Sequence, residues 1–148
     1  MNALKLLEQD HEKVKKLLGQ LDSTTERGVK TREELFAKVT QELEVHEAIE
    51  EEIFYPALKE HPKAKEIVLE AYEEHHVVDK VMGELREVPF DDETWGAKLT
   101  VMKENVEHHI EEEENEMFKQ ARDVFDEAEL EELGERMEQR KQAMLSVS

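Results

Sequence analysis

The sequence predicts an all-α fold, an antiparallel up-down four-helix bundle with a short C-terminal fifth helix. Three observations predict it. Charged residues make up 40% of the 148-residue chain, against five glycines and three prolines, a composition that suits long charged helices and suits sheet poorly. Hydrophobic residues are 38% of the chain and recur with a helical period, so the high charge does not signal disorder. The apolar stripes fall in four long segments divided by short polar or proline-bearing stretches. The length suits one domain, residues 1–148, with the bundle over about 2–122 and the last helix over about 126–145.

The first helix is expected from about Asn2 to Leu21, because Leu4, Leu7, His11, Val14, Leu18 and Leu21 alternate spacings of three and four. The polar run from Asp22 to Lys30 contains Gly28 and reads as a loop. Thr31 with Glu34 forms a capping-box signature for the second helix, whose stripe is Phe36, Val39, Leu43, His46, Glu50 and Phe54. Pro56 and Pro62 bracket its ragged end. The third helix covers about Lys63 to Glu87, with stripe Val68, Ala71, His75, Val78, Met82 and Leu85, and Pro89 stops it. Asp91 or Asp92 caps the fourth, which runs to about Arg122 with stripe Leu99, Met102, Val106, His109, Glu113 and Met117. Trp95 lies one turn earlier, at the bundle end. Asp126 and Glu129 form another capping box and open the fifth helix, which packs outside the other four or serves in pairing.

The stripes repeat. Adding 64 to the first stripe gives the third, and adding 63 to the second gives the fourth. His11 maps onto His75, His46 onto His109 and Glu50 onto Glu113. Two such hairpins, packed antiparallel, bring these six polar residues toward mid-bundle with approximate two-fold symmetry.

Residues four apart share a helix face, about 40° apart around the axis. His46 with Glu50, and His109 with Glu113, therefore reach one centre. A single histidine on an apolar stripe is usually a satisfied core residue, and one His-x-x-x-Glu in so glutamate-rich a chain means little. Four histidines in symmetric core positions, two paired to core glutamates, are different, because leaving six such groups without partners would cost several kcal/mol. A cation partners them all. Imidazole with carboxylate suits iron, manganese or zinc, and two carboxylates among four histidines suit a pair of ions, each glutamate bridging both.

The pieces Asp10-His11-Glu12, His46-Glu47-Ala48-Ile49-Glu50-Glu51 with Phe54-Tyr55-Pro56, Glu74-His75-His76, and His109 to Glu114 with Met117-Phe118 resemble the hemerythrin family in its bacterial HHE cation-binding form, over about Leu4 to Arg122. The resemblance implies two non-heme iron ions with a bridging oxide or hydroxide, manganese and zinc ranking behind iron. It implies metal ligands at His11, His46, Glu50, His75, His109 and Glu113, with Glu50 and Glu113 bridging. Two departures stand out. Oxygen-carrying members have two histidines four apart on the third helix, whereas the residues four from His75 are Ala71 and Asp79. Lys119 stands where the second motif often has proline. Two irons offer roughly twelve positions; the six ligands and the bridge leave about two, open or filled by Asp79, water or Tyr55. Ferritin-type sites use Glu-x-x-His with more carboxylates, so storage of that kind is rejected.

The other histidines are expected at the surface: His76 and His108 point about 100° away from their neighbours, and His61 lies in a loop. Tyr55 is expected to pack at the helix end, unless the helix unwinds before Pro56 and lets its phenol reach a metal. The Glu111 to Glu114 run reads mostly as a solvated face.

Three functions compete. The first is a binding protein taking up dioxygen, nitric oxide or peroxide at the two-iron centre. The second is a di-iron enzyme decomposing hydrogen peroxide, which the missing fifth histidine favours; no catalytic residue is assigned. The third is a helical interaction module with a structural metal, supported only by the fifth helix. A net charge of −19 argues against nucleic acid and against anionic membrane surfaces. No stretch approaches a membrane span or the apolar core of a signal peptide, so the expected location is cytoplasmic, as a monomer or homodimer. There is no cysteine, which excludes disulfides, thiolate sites and cysteine nucleophiles.

Overall fold

The computed structural model describes residues 1–147, whose regular structure is entirely helical. The first helix, α1, spans Ala3–Asp22, and the Asn2 side chain caps it by accepting from the Lys5 N–H at 2.9 Å, which satisfies one of the amides a helix start leaves free. The second, α2, covers residues 29–59: Val29–Ile49 in α geometry, a π turn at Glu50–Phe54, and Tyr55–Lys59 in α geometry again.

One expectation is corrected here. The helix opens at Val29 with Gly28 at the N-cap and no side-chain cap, so Thr31 and Glu34 do not form a capping box. Arg32 explains why. Its buried guanidinium bonds Thr24 Oγ1 at 2.9 Å and the Phe90 carbonyl at 2.5 Å, and lies 4.8 Å from the centre of the Trp95 ring. That anchor ties both loops at this end of the bundle and outweighs a cap worth about 1 kcal/mol. The helix runs through Pro56 and ends at Lys59, between Pro56 and Pro62 as expected. The π turn moves bonding from i−4 to i−5, with the Tyr55 N–H on the Glu50 carbonyl. The proline, having no N–H to satisfy, sits in the first turn of the resumed α segment.

A 3-10 turn at Pro62–Ala64 leads into α3, Lys65–Glu87, which ends before Pro89. The fourth helix, α4, covers residues 93–124, with a π turn at Glu113–Met117 between Glu93–Glu112 and Phe118–Val124. Asp92 caps it, accepting from the Thr94 N–H at 2.8 Å. The two π turns are offset by 113 − 50 = 63 residues, as the stripes are. The predicted box at Asp126 and Glu129 forms reciprocally, at 3.0 and 2.8 Å. It opens α5, Glu127–Val147.

The predicted stripes are buried and make two apolar clusters. One holds Leu7, Ile49, Phe54, Tyr55 and Phe118; the other holds Val14, Leu43, Val78, Met82, Trp95 and Met102. The buried histidines and their neighbouring buried acids fall between them along every bundle helix, as His75 does between Ala71 and Val78. α5 lies outside the bundle against α1 and α2, burying Leu130, Leu133 and Met137, each worth about 1.5–3 kcal/mol when fully covered. Gly134 permits this: a Cβ there would fall onto the backbone of Met1 to Ala3, 2.8 Å from the Ala3 nitrogen.

Candidate metal centre

All six residues singled out in the sequence are buried and meet between the two clusters. Two overlapping groups able to hold metal result: His11, His46, Glu50 and Glu113, and Glu50, His75 and His109. Within each, one ligand atom per residue lies within 4.8 Å of the others. Glu50 Oε1 is 3.2 Å from His46 Nε2 and 3.1 Å from His75 Nε2. Glu113 Oε1 is 3.1 Å from His11 Nε2, and its Oε2 is 3.3 Å from His109 Nε2. Each carboxylate thus touches one imidazole from each hairpin.

The outward face of every ring is equally ordered. Nδ1–H of His11 donates to Glu114 at 2.7 Å, of His46 to Asp10 at 3.1 Å, of His75 to Glu51 at 2.7 Å and of His109 to Glu74 at 2.6 Å. A carboxylate on Nδ1 fixes the tautomer, leaving the Nε2 lone pair aimed inward and more basic, the usual outer partnership of a metal-binding histidine. Sequence reasoning missed these four acids. Glu114 in particular belongs to a run that reads as a solvated face. The signal was present: Asp10 and Glu74 are offset by 64, Glu51 and Glu114 by 63.

Three buried atoms of the centre have no hydrogen-bond partner: His11 Nε2, Glu50 Oε2 and Glu113 Oε1. His11 Nε2 and Glu113 Oε1 face each other as lone pairs, because the His11 proton is on Nδ1. Such orphaned atoms cost about 1–3 kcal/mol each, and a cation satisfies all three together. The donor chemistry, imidazole nitrogen with carboxylate oxygen, fits iron.

The field points the same way. Burial opposes charge on His46 and His109, yet Glu50 with Asp10, and Glu113 with Glu74, outweigh it and hold both imidazoles well above their ordinary range. His75 is raised too, by Glu50 and Glu51 against burial. Burial would raise the Glu113 carboxyl, but the side-chain contact with Glu50 and the charge and hydrogen bond of His109 drive it well below the usual range. The centre therefore attracts positive charge strongly.

Tyr55 is completely buried, and its hydroxyl donates to Glu113 Oε2 at 2.6 Å, with His109 Nε2 at 3.3 Å and His75 Nε2 at 3.4 Å. On an ideal α-helix it would stand across from His46; the π turn brings it onto the face of the centre. Burial, with the charges of Glu113 and Glu50, pushes its pKa well above that of free tyrosine. Asp79 does not join the centre. It is exposed and pairs with the buried Glu47, whose pKa rises to about 10 through burial and the nearby acids Asp79, Glu50 and Glu51. His76 and His108 are exposed, as expected. His61 is part-buried and packs edge-on against Phe125, 5.2 Å between ring centres, so it is less solvated than expected. Beside the four histidines, away from Tyr55, is a cavity of about 20 Å³ walled by Val14, Leu43, Val78, Val106, Ile110 and Glu47.

Comparison with known proteins agrees with this geometry. Residues 2–121 match the Hemerythrin HHE cation binding domain family. Uncharacterised proteins of Mycobacterium tuberculosis and Mycobacterium bovis are 34% identical over 141 residues, covering 93% of this chain and 83% of theirs. A crystal structure of a hemerythrin HHE cation-binding domain-containing protein from Mycobacterium kansasii, a homolog of that M. tuberculosis protein, superposes with a TM-score of 0.87 at 30% identity. It covers 97% of this chain and 87% of that one.

Proposed function

Because the chain belongs to the hemerythrin HHE cation-binding family, we propose that it holds two non-heme iron ions and binds dioxygen, nitric oxide or peroxide beside them. His11 and His46 would hold one ion, His75 and His109 the other, and Glu50 and Glu113 would bridge. The observation that carries this reading is the three unpartnered buried atoms, one each on His11, Glu50 and Glu113, surrounded by four imidazoles whose Nε2 atoms all face inward. Bound iron would supply reversible redox change and coordination of a small ligand. The protein supplies the rest. The Nδ1 carboxylates orient the rings, the apolar wall keeps bulk water away, and a cavity of about 20 Å³ has room for about one water-sized molecule.

A second reading, decomposition of hydrogen peroxide, has the Tyr55 hydroxyl in its favour. It is a proton-transferring group in hydrogen-bond reach of Glu113. One experiment separates the readings. Protein loaded with iron is analysed for metal content, and its absorption is followed on adding oxygen, nitric oxide or peroxide. Two irons with a spectrum that reverses under vacuum support ligand binding. Rapid gas evolution from peroxide supports the enzyme. Fewer than two ions bound at saturating iron would overturn the two-iron reading.

A further inference from the structure

The fifth helix has no part in the chemistry above, and it lies beyond the family-matched residues 2–121. It nevertheless delivers a charge to the centre. Lys141 Nζ is 2.5 Å from Asp10 Oδ1, while Asp10 Oδ2 accepts from His46 Nδ1 at 3.1 Å. Asp10 is buried, so its carboxylate is clamped between an ammonium and an imidazole with one oxygen on each. Charge-assisted bonds of this kind are short, directional and costly to leave half-made away from water. The lysine is itself held in place, since Met137, one turn earlier, is fully buried and Gly134 lets the helix close against the N-terminus.

The other hairpin supplies the contrast. Glu74, offset from Asp10 by 64 residues, bonds His109 at 2.6 Å, but among the described residues its other neighbours are Glu112 and the exposed His108 rather than a lysine. It is only part-buried. One half of the centre is thus braced from outside the bundle and the other is not.

We propose that Lys141 is a positioning residue: through Asp10 it fixes the His46 ring, and so it sets the affinity of the ion held by His11 and His46 while leaving the ion held by His75 and His109 alone. The proposal rests on the two-ion reading. Outer partners of metal-binding histidines typically alter affinity by about 10–100-fold, and Lys141 acts on one histidine of four.

The test uses the full chain stripped of metal and titrated with cobalt(II), whose visible absorption reports each ion's geometry, in competition with a chelator. Lys141→Met is expected to bind two ions, one of them about 10–100-fold more weakly with its own band altered, the other unchanged. Lys141→Arg restores the wild-type pattern. Arg140→Met, which removes the neighbouring tie from α5 to Glu52 at 3.2 Å, leaves both ions unaffected. Equal weakening of both ions, no change in Lys141→Met, or the same loss in Arg140→Met would each overturn the proposal. A wild-type protein that takes up fewer than two cobalt ions overturns the two-ion reading, and this proposal with it.

Discussion

At the position where the first hairpin carries Tyr55, the second carries Phe118; the offset is 118 − 55 = 63. Each follows a π turn, and each is completely buried. Tyr55 turns its hydroxyl onto Glu113, whereas Phe118 lies nearly parallel to the His11 ring, 6.1 Å between centres and 11° between planes. Two further pairs differ. Asp10 is backed by Lys141, Glu74 by Glu112 and His108. Glu47 lines the cavity where its counterpart, 63 residues on, is Ile110. The repeated backbone therefore duplicates the aim of the imidazoles, and single substitutions at paired positions make the halves chemically unequal. Aim and reactivity are encoded separately, the first by helix register and the second by which side chain stands at a given register.

The most severe way to probe that inequality is to remove a carboxylate that both halves share. Glu50→Ala and Glu113→Ala should each lower bound metal from two ions toward one or none, measured by elemental analysis. Two ions retained in both variants would contradict the bridging role and leave two independent half-sites. Gly134→Ala tests the brace on one half. The added methyl meets backbone of Met1 to Ala3, so thermal unfolding should show a loss of about 1–3 kcal/mol, the usual penalty for overpacking. Metal uptake should weaken at the His46 side first.

Tyr55→Phe makes the first half resemble the second. Two ions should still bind, with one affinity reduced about tenfold and any phenolate absorption of the iron-loaded protein lost; a variant identical to wild type in both respects would reduce Tyr55 to packing. The smallest effect belongs to Glu47. Its folded pKa of about 10 lies above its unfolded value, so its contribution to stability is complete below about pH 4.5 and is lost as pH rises toward 10. Glu47→Gln removes that loss. The variant should be the more stable by about 1 kcal/mol near pH 8 and should lose less stability than wild type between pH 5 and 8, as denaturant titrations at both pH values would record.

The helices and the six central residues were legible because each stripe keeps its period and recurs at a fixed offset. His11 and His75 could be matched without knowing any structure. Asp10, Glu51, Glu74 and Glu114 were not, since a chain with 39 acidic residues hides four among many; only their shared offsets distinguish them from solvated neighbours such as Glu12. Tyr55 escaped for a different reason. Ideal helical geometry carries it to the far side from His46, and the π turn that brings it back has no compositional mark except the proline that follows. Thr31 shows the opposite failure: a valid local signal overruled by the tertiary anchor at Arg32.

Each π turn amounts to one surplus residue threaded into an otherwise regular helix. Everything upstream of Glu50 answers to one angular frame, and everything from Tyr55 onward answers to another, rotated by about 100° per residue inserted. Shortening either turn by a single residue would change no side chain that faces the centre, yet it would swing Tyr55, or Phe118 in the other hairpin, out of line with the imidazoles. The identity of what the centre meets on that side is thus stored in a count of residues.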